Sequence, residues 1–149
     1  MLLEEEIKQK SFKSPQQKLA LNLLYTTNWL SHHYDHFFKG LDLTTQQYNV
    51  LRILRGQYPQ PCTLKLIKER MLDRMSDASR IIDKLVAKDY VTRAQCSSDR
   101  RSVNLVISDK GLDILKKLDF IDEAIKDIFK HLPTQKIELL NELLDALRG

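Results

Sequence analysis

The spacing of apolar residues predicts a mostly helical chain with one short sheet. From Pro15 to Phe38 the apolar positions recur at helical intervals on more than one side. Leu19, Leu23, Leu30, Tyr34 and Phe37 form one stripe, and Leu21, Leu24, Tyr25 and Trp29 spread round another. A helix that is apolar on two sides lies between its own domain and some further surface. Ser14 supplies the cap, Pro15 suits the first helical position, and Gly40 ends the segment. Residues 1–13 read as an arm anchored by Ile7 and Phe12. Thr44, with Gln47 three residues on, is a capping box opening a helix through Val50, Leu51 and Leu54 to about Gly56. Pro59 and Pro61 impose an extended connection. Thr63 then caps a short helix with Leu64, Ile67 and Met71 inward, and a second short helix is expected from about Arg74–Ser76 to Lys88.

Beyond it the period changes. Residues 90–95 and 102–107 have strand composition, with Val103, Leu105 and Ile107 alternating, and the polar run 96–101 is turn-prone. Ser108-Asp109 caps what reads as a long helix, in which Ile114, Leu118, Ile121, Ile125, Ile128 and Leu132 are spaced 4, 3, 4, 3 and 4. Pro133-Thr134 opens a last helix with Ile137, Leu140, Leu144 and Leu147. Two short helices followed by a hairpin form a winged helix-turn-helix layout. The expected fold is mainly α with a small antiparallel β-wing. Three segments follow: an arm and dimerisation helix (1–43), a winged lobe (44–110) and C-terminal dimerisation helices (111–149), making one structural domain overall. The flanking helices carry more apolar surface than a chain this small can hide by itself, so a symmetric homodimer is expected.

Charge sharpens the picture. The chain is +4 overall, and ten bases against six acids between Thr63 and Arg101 account for the whole excess. A central basic segment suits a polyanion. No run approaches the ~18 uncharged apolar residues of a membrane span. Glu4, Glu5 and Glu6 stand where a secretory signal would carry bases, so a cytoplasmic protein is expected. Cys62 and Cys96 have no metal-ligand spacing and read as free thiols.

On a helical wheel Ala78, Ile81, Ile82 and Leu85 fall within about 100° of one another. Ser76, Ser79, Arg80, Asp83, Lys84 and Ala87 lie opposite. Small hydroxyls let a helix sink into a DNA major groove, and a long cation reaches guanine edges or phosphate. Arg80 is therefore assigned to base readout beside Ser76 and Ser79, and Lys84 to phosphate. Asp77 and Asp83 could accept from a cytosine amino group or orient a neighbouring arginine. Asp99-Arg100-Arg101, at the hairpin tip, suits a minor groove, with the acid holding a guanidinium.

From Thr44 to Leu144 the chain resembles the MarR family, most specifically from Thr63 to Gly111. The segment MSDASRIIDKLVAKDYV (75–91) is similar to the family's recognition helix and the step into its wing. DRRSVNLVISDKG (99–111) is similar to its wing pattern, second wing strand and the opening of the next helix. The resemblance implies a triangular dimer clamped by N- and C-terminal helices, with recognition helices in successive major grooves and wings in flanking minor grooves. By position Asp99 and Arg101 match the wing-tip pair, and Ser76, Asp77, Ser79 and Arg80 the groove-facing residues. Asp89 stands where the family usually has glycine, and Leu72 and Lys68 where a turn glycine and a helix alanine are common. Many members answer to small anionic or phenolic effectors in a cleft between the dimer helices and the DNA-binding lobe, which Trp29, His33, Phe37 and Tyr48 would line here. The same aromatic spacing also suits plain core packing.

Other chemistry is thin. His32 and His36 share a helix face, but two imidazoles are half a metal site, and His131 and Asp35 would have to complete it. Cys96, with Arg93 nearby, is a candidate reactive thiol. No nucleophile–base pair, glycine-rich phosphate loop or metal triad stands out, so neither an enzyme nor a cofactor is expected. The function expected is a sequence-specific DNA-binding transcriptional regulator, a dimeric ligand-responsive repressor on a pseudo-palindromic operator. The alternative is a winged-helix protein-interaction module that does not bind DNA.

Overall fold

Local capping, as expected, opens most of the helices. The computed structural model describes residues 1–95 and 103–149. It divides into two units, Met1–Leu112 and Asp113–Gly149. In the first, a single turn, α1 (Leu3–Glu6), precedes α2 (Pro15–Phe37). The buried anchor of this arm is Leu3, and the expected anchors Ile7 and Phe12 are only half-buried. Glu4 pairs with Lys18, and the Tyr25 hydroxyl donates to Glu6 Oε2 at 2.7 Å, so the arm lies along α2. Ser14 Oγ accepts from Gln17 N at 3.1 Å to cap α2, and Gly40, at φ +81°, follows its end. No residue of α2 is buried in the single chain.

Helix α3 (Thr45–Gln57) opens on the capping box: Gln47 N donates to Thr44 Oγ1, and Thr44 N to Gln47 Oε1, both at 3.2 Å. Its Val50, Leu51 and Leu54 are buried, and it packs against α4 (Leu64–Arg70), α5 (Ala78–Ala87) and strand β3 (Val103–Ile107). Thr63 caps α4 by accepting from Leu66 N at 3.2 Å. The hairpin strands are β2 (Val91–Gln95) and β3, antiparallel, with Val91 opposite Ile107 and Arg93 opposite Leu105. A third strand, β1 (Cys62–Thr63), pairs with the other edge of β3, Cys62 facing Leu105, to give the order β1-β3-β2. Two residues carry no periodicity, so this strand has no signature in the sequence. Residues 96–102, with Cys96, Asp99, Arg100 and Arg101 of the wing tip, lie outside the described residues.

Helix α6 (Asp109–Lys117) follows β3, and the second unit holds its end, α7 (Ile121–Ile128) and α8 (Thr134–Arg148). The expected long helix is broken between α6 and α7. Leu118 N bonds Leu115 O at 2.9 Å and Ile121 N bonds Leu118 O at 3.0 Å, a tight i→i−3 turn. A three-residue step serves such a turn as well as a helix, which is how the apolar seam runs through the break. Ile114, Leu115, Leu118 and Ile121 are buried. Helix α8 buries nothing and leaves Leu139, Leu140, Leu143 and Leu147 about half exposed.

The root of the wing, where the chain enters and leaves it, is tightly built. Asp89 takes φ +60°, the left-handed conformation in which glycine meets no steric cost. Ser108 Oγ donates to Asp89 O at 2.6 Å and accepts from Gly111 N at 3.0 Å. A Cβ on Gly111 would lie 2.4 Å from Tyr90 O and 2.7 Å from Ile107 Cγ1, so only glycine fits. Alanine normally stabilises a helix relative to glycine by about 1 kcal/mol. Gly111→Ala should instead lower stability by about 1–3 kcal/mol, seen as an earlier midpoint in urea with unchanged slope. Asp89→Gly should raise stability by about 0.5–1 kcal/mol, because the backbone strain it relieves outweighs one exposed contact to Lys110 at 3.9 Å. A lowered midpoint would contradict that balance.

Candidate nucleic-acid interface

Helix α5 rests on Ala78, Ile82 and Leu85, all at most 1% exposed, with Ile81 half-buried at the margin. Its start differs from the expected one near Arg74–Ser76. The Asp73 carboxylate takes the Ser76 hydroxyl at 2.6 Å and the Met75 N–H at 3.0 Å, holding 73–76 as a turn. Side-chain bonds of this kind compete with helix. The same two donors, Ser76 first, hold the Asp73 carboxyl below its ordinary range. Asp77 is then the cap, its Oδ1 accepting from Arg80 N at 3.1 Å, and the helix begins at Ala78. Leu72 N donates to Asn49 Oδ1 at 3.0 Å, fastening the turn to α3.

The other end of α5 is fastened too. Lys88 Nζ donates to Asp42 O, lies 3.1 Å from Asp42 Oδ2, and donates to Gln47 Oε1 at 3.3 Å. Gln47 is buried, and its oxygen thereby serves the α3 cap and the α5 terminus together. The helix is held along one face and at both ends, leaving the opposite face to solvent.

On that face Ser79, Arg80, Asp83, Lys84 and Ala87 are exposed. Arg80 and Lys84 line a recess of about 420 Å³ with Ser76, Asp77, Thr44 and Gln46, so four of the expected DNA-contacting residues come together beside the start of α3. Neither cation pairs with an acid among the described residues. Ser79 stands on the other flank, in a recess of about 200 Å³ with Arg93, Leu64 and Val103. The two acids are both engaged: Asp77 caps, and Asp83 pairs with Arg93 of β2. The arginine beside Asp83 in the fold is Arg93. The positions of Asp99, Arg100 and Arg101 relative to this face lie outside the described residues.

Sequence reasoning passed over Arg93 and a basic recess of about 520 Å³ where Lys65, Lys68 and Arg74 surround Leu64 and Glu69. Alternation puts Arg93 on the same side of β2 as buried Val91, opposite Leu105, although its own side chain is exposed. A cation at such a position calls for a partner, and that was the available signal.

The four residues assigned to an effector cleft separate. Trp29 and His33 meet edge to face with centroids 4.8 Å apart, and Phe37 packs edge-on to Tyr34 at 5.8 Å. Tyr48 is buried against Phe38 at 5.1 Å, with the Arg52 guanidinium 5.8 Å from its ring centre. Trp29 lines a recess of about 330 Å³ with Met1, Leu3, Glu6, Tyr25 and Thr26. Among the described residues no three His, Cys, Asp or Glu side chains form a metal-holding group. Cys62 is buried, and burial pushes its thiol up, partly opposed by the Arg70 charge.

The MarR family model matches residues 43–103, from the turn before α3 to the first residue of β3. A MarR transcription factor from Planctomyces limnophilus is 28% identical, covering 91% of this chain and 99% of its own, with a TM-score of 0.67. A cysteine-to-serine mutant of E. coli MarR, solved with operator DNA, is 22% identical over 86% of this chain and 92% of its own, with a TM-score of 0.74. BpsR of Bordetella bronchiseptica, whose DNA binding is regulated by 6-hydroxynicotinic acid, is 18% identical over 93% of this chain and 99% of its own, with a TM-score of 0.79. The sequence match falls on the winged lobe and the structural likeness on nearly the whole chain: residues 43–103 match the MarR family model, and the chain has the winged helix-turn-helix fold of MarR transcription factors.

Proposed function

We propose that this chain is a non-catalytic, cytoplasmic transcriptional regulator that binds duplex DNA as a homodimer and represses until a small effector releases it. The observation that carries this reading is α5. Its exposed face offers Arg80 and Lys84 with no acid paired to either among the described residues, on a helix anchored by Ala78, Ile82 and Leu85. A helix entering a major groove needs such a cationic face on a rigid support. Arg80 reads base edges beside Ser76 and Ser79, Lys84 holds phosphate, and Asp99, Arg100 and Arg101 serve the minor groove. Asp77 contributes by fixing where the helix starts. The operator complex of E. coli MarR supports the DNA reading, and the regulation of BpsR by 6-hydroxynicotinic acid supports the effector.

The dimer reading rests on uncovered apolar surface in each unit. Leu19, Leu24, Tyr25 and Trp29 on α2, and Leu139, Leu140, Leu143 and Leu147 on α8, are each more than a third exposed. Surface of that kind on two helices marks an interaction site. Segments 1–43 and 111–149 thus serve dimerisation around the 44–110 lobe. We assign the effector site to the α2 face carrying Trp29, His33 and Phe37, with Tyr48 serving as packing against Phe38.

Sedimentation should give a dimer, and a labelled duplex from the chain's own upstream region should bind with steep salt dependence. A monomer, or indifference to duplex DNA at low ionic strength, would overturn the proposal. Arg80→Ala should relax preference at one base position per half-site, at a cost of roughly 1–3 kcal/mol. Lys84→Gln should weaken all duplexes alike and reduce the salt slope by about 0.9 for each phosphate no longer neutralised, and Arg101→Ala should weaken binding and flatten the slope. Trp29 is the sole tryptophan, so aromatic carboxylic acids that displace DNA should also change its emission. Displacement with unaltered emission would put the effector elsewhere.

A further inference from the structure

We infer that Arg93 is a phosphate contact of the DNA interface and that Asp83 is its positioning residue. This rests on the DNA-binding reading above. Asp83 lies on the exposed face of α5 beside Lys84, where a carboxylate repels phosphate. Both members of the pair are well exposed, Arg93 at 43% and Asp83 at 61%, and exposed ion pairs add little to folding. The acid therefore opposes binding by its charge and barely helps stability, unless what it holds has a use.

What it holds is a guanidinium. Arg93 donates to Asp83 Oδ1 through one terminal nitrogen, and a guanidinium carries five donors in a planar fork. Arg93 lines the recess on the Ser79 flank of α5, separate from the recess lined by Arg80 and Lys84. Unpaired, this long side chain on an edge strand would lose much rotamer freedom on meeting a phosphate. Paired, it has already lost it. The arrangement gives α5 a fixed cation on the wing side to match the two on the α3 side, so that cations bracket the helix.

The test uses a labelled duplex obtained by repeated selection from a random-sequence pool, with an unselected duplex of equal length as control. Far-UV dichroism and melting confirm that each variant folds. Arg93→Gln should weaken the selected duplex roughly tenfold and lower the salt slope by about 0.9. Arg93→Lys should restore the slope and only part of the affinity, since it keeps the charge and loses the fork. Asp83→Asn should weaken the selected duplex roughly threefold to tenfold, although it removes a negative charge, and should tighten the unselected one. In the Arg93→Gln background the same change should no longer weaken binding. If Asp83→Asn tightens the selected duplex equally in both backgrounds, or Arg93→Gln leaves the slope intact, the inference is wrong while the DNA reading stands. If the unaltered protein binds neither duplex, both are wrong.

Discussion

Burial of one face of α5 against α3 is the interaction on which the rest of this molecule depends. Complete burial of an isoleucine or leucine contributes about 1.5–3 kcal/mol each, so Ile82 and Leu85 together outweigh any polar contact the helix makes. They fix which face is inward, and therefore which residues meet solvent. The polar contacts decide finer matters. The Asp77 cap, a device of about 1 kcal/mol, sets the first residue of the helix, and Lys88 sets where its far end sits relative to the α2–α3 connection. A helix read as a probe of DNA must not rotate or slide. Here rotation is opposed by apolar packing and sliding by tethers at both ends.

The same reasoning separates the winged lobe from the helices that flank it. Helix α3 buries Val50, Leu51 and Leu54 and receives α4, α5 and β3, so the lobe has a centre of its own. Helices α2 and α8 bury no residue in the single chain, yet both carry leucines at helical spacing. Apolar residues in such number are not needed for solubility, and a hydrophobic face without a partner is unfavourable in water. The proposed homodimer gives these faces their purpose.

What could be read from the sequence follows the range of the interaction concerned. Caps at Ser14, Thr44, Thr63 and Ser108 each involve a side chain and a backbone group three residues on, and all four form as expected. The buried positions of α5 followed from helical geometry alone, with only Ile81 less covered than expected. The start of that helix was misplaced because Asp73, a residue of no periodicity, captures Ser76 and Met75. Strand β1 was invisible because its order comes entirely from β3, some forty residues later. The continuous seam from Ile114 to Leu132 identified which side is apolar but not that the backbone tightens at Leu118–Ile121, since three-residue steps fit both geometries. Trp29, His33, Phe37 and Tyr48 share a chemical type, and type did not settle exposure: Tyr48 went to the core.

The acids on the exposed face of α5 show why residue type alone could not assign the proposed site. Read from the sequence, Asp77 and Asp83 are both carboxylates among cations, each able to accept from a base or steady an arginine. In the fold they diverge. Asp77 spends an oxygen on the backbone of its own helix, while Asp83 turns away from that helix to Arg93 on the neighbouring strand. The charge left unpaired among the described residues of this face is then that of Arg80 and Lys84, on the flank toward α3, and the wing-side cation is held in place by its partner. Under the proposed DNA-binding role, a surface so arranged would attract a polyanion through a few fixed donors instead of a diffuse positive field. Geometry then contributes alongside charge, because a duplex whose phosphates miss those donors gains little from the attraction that remains.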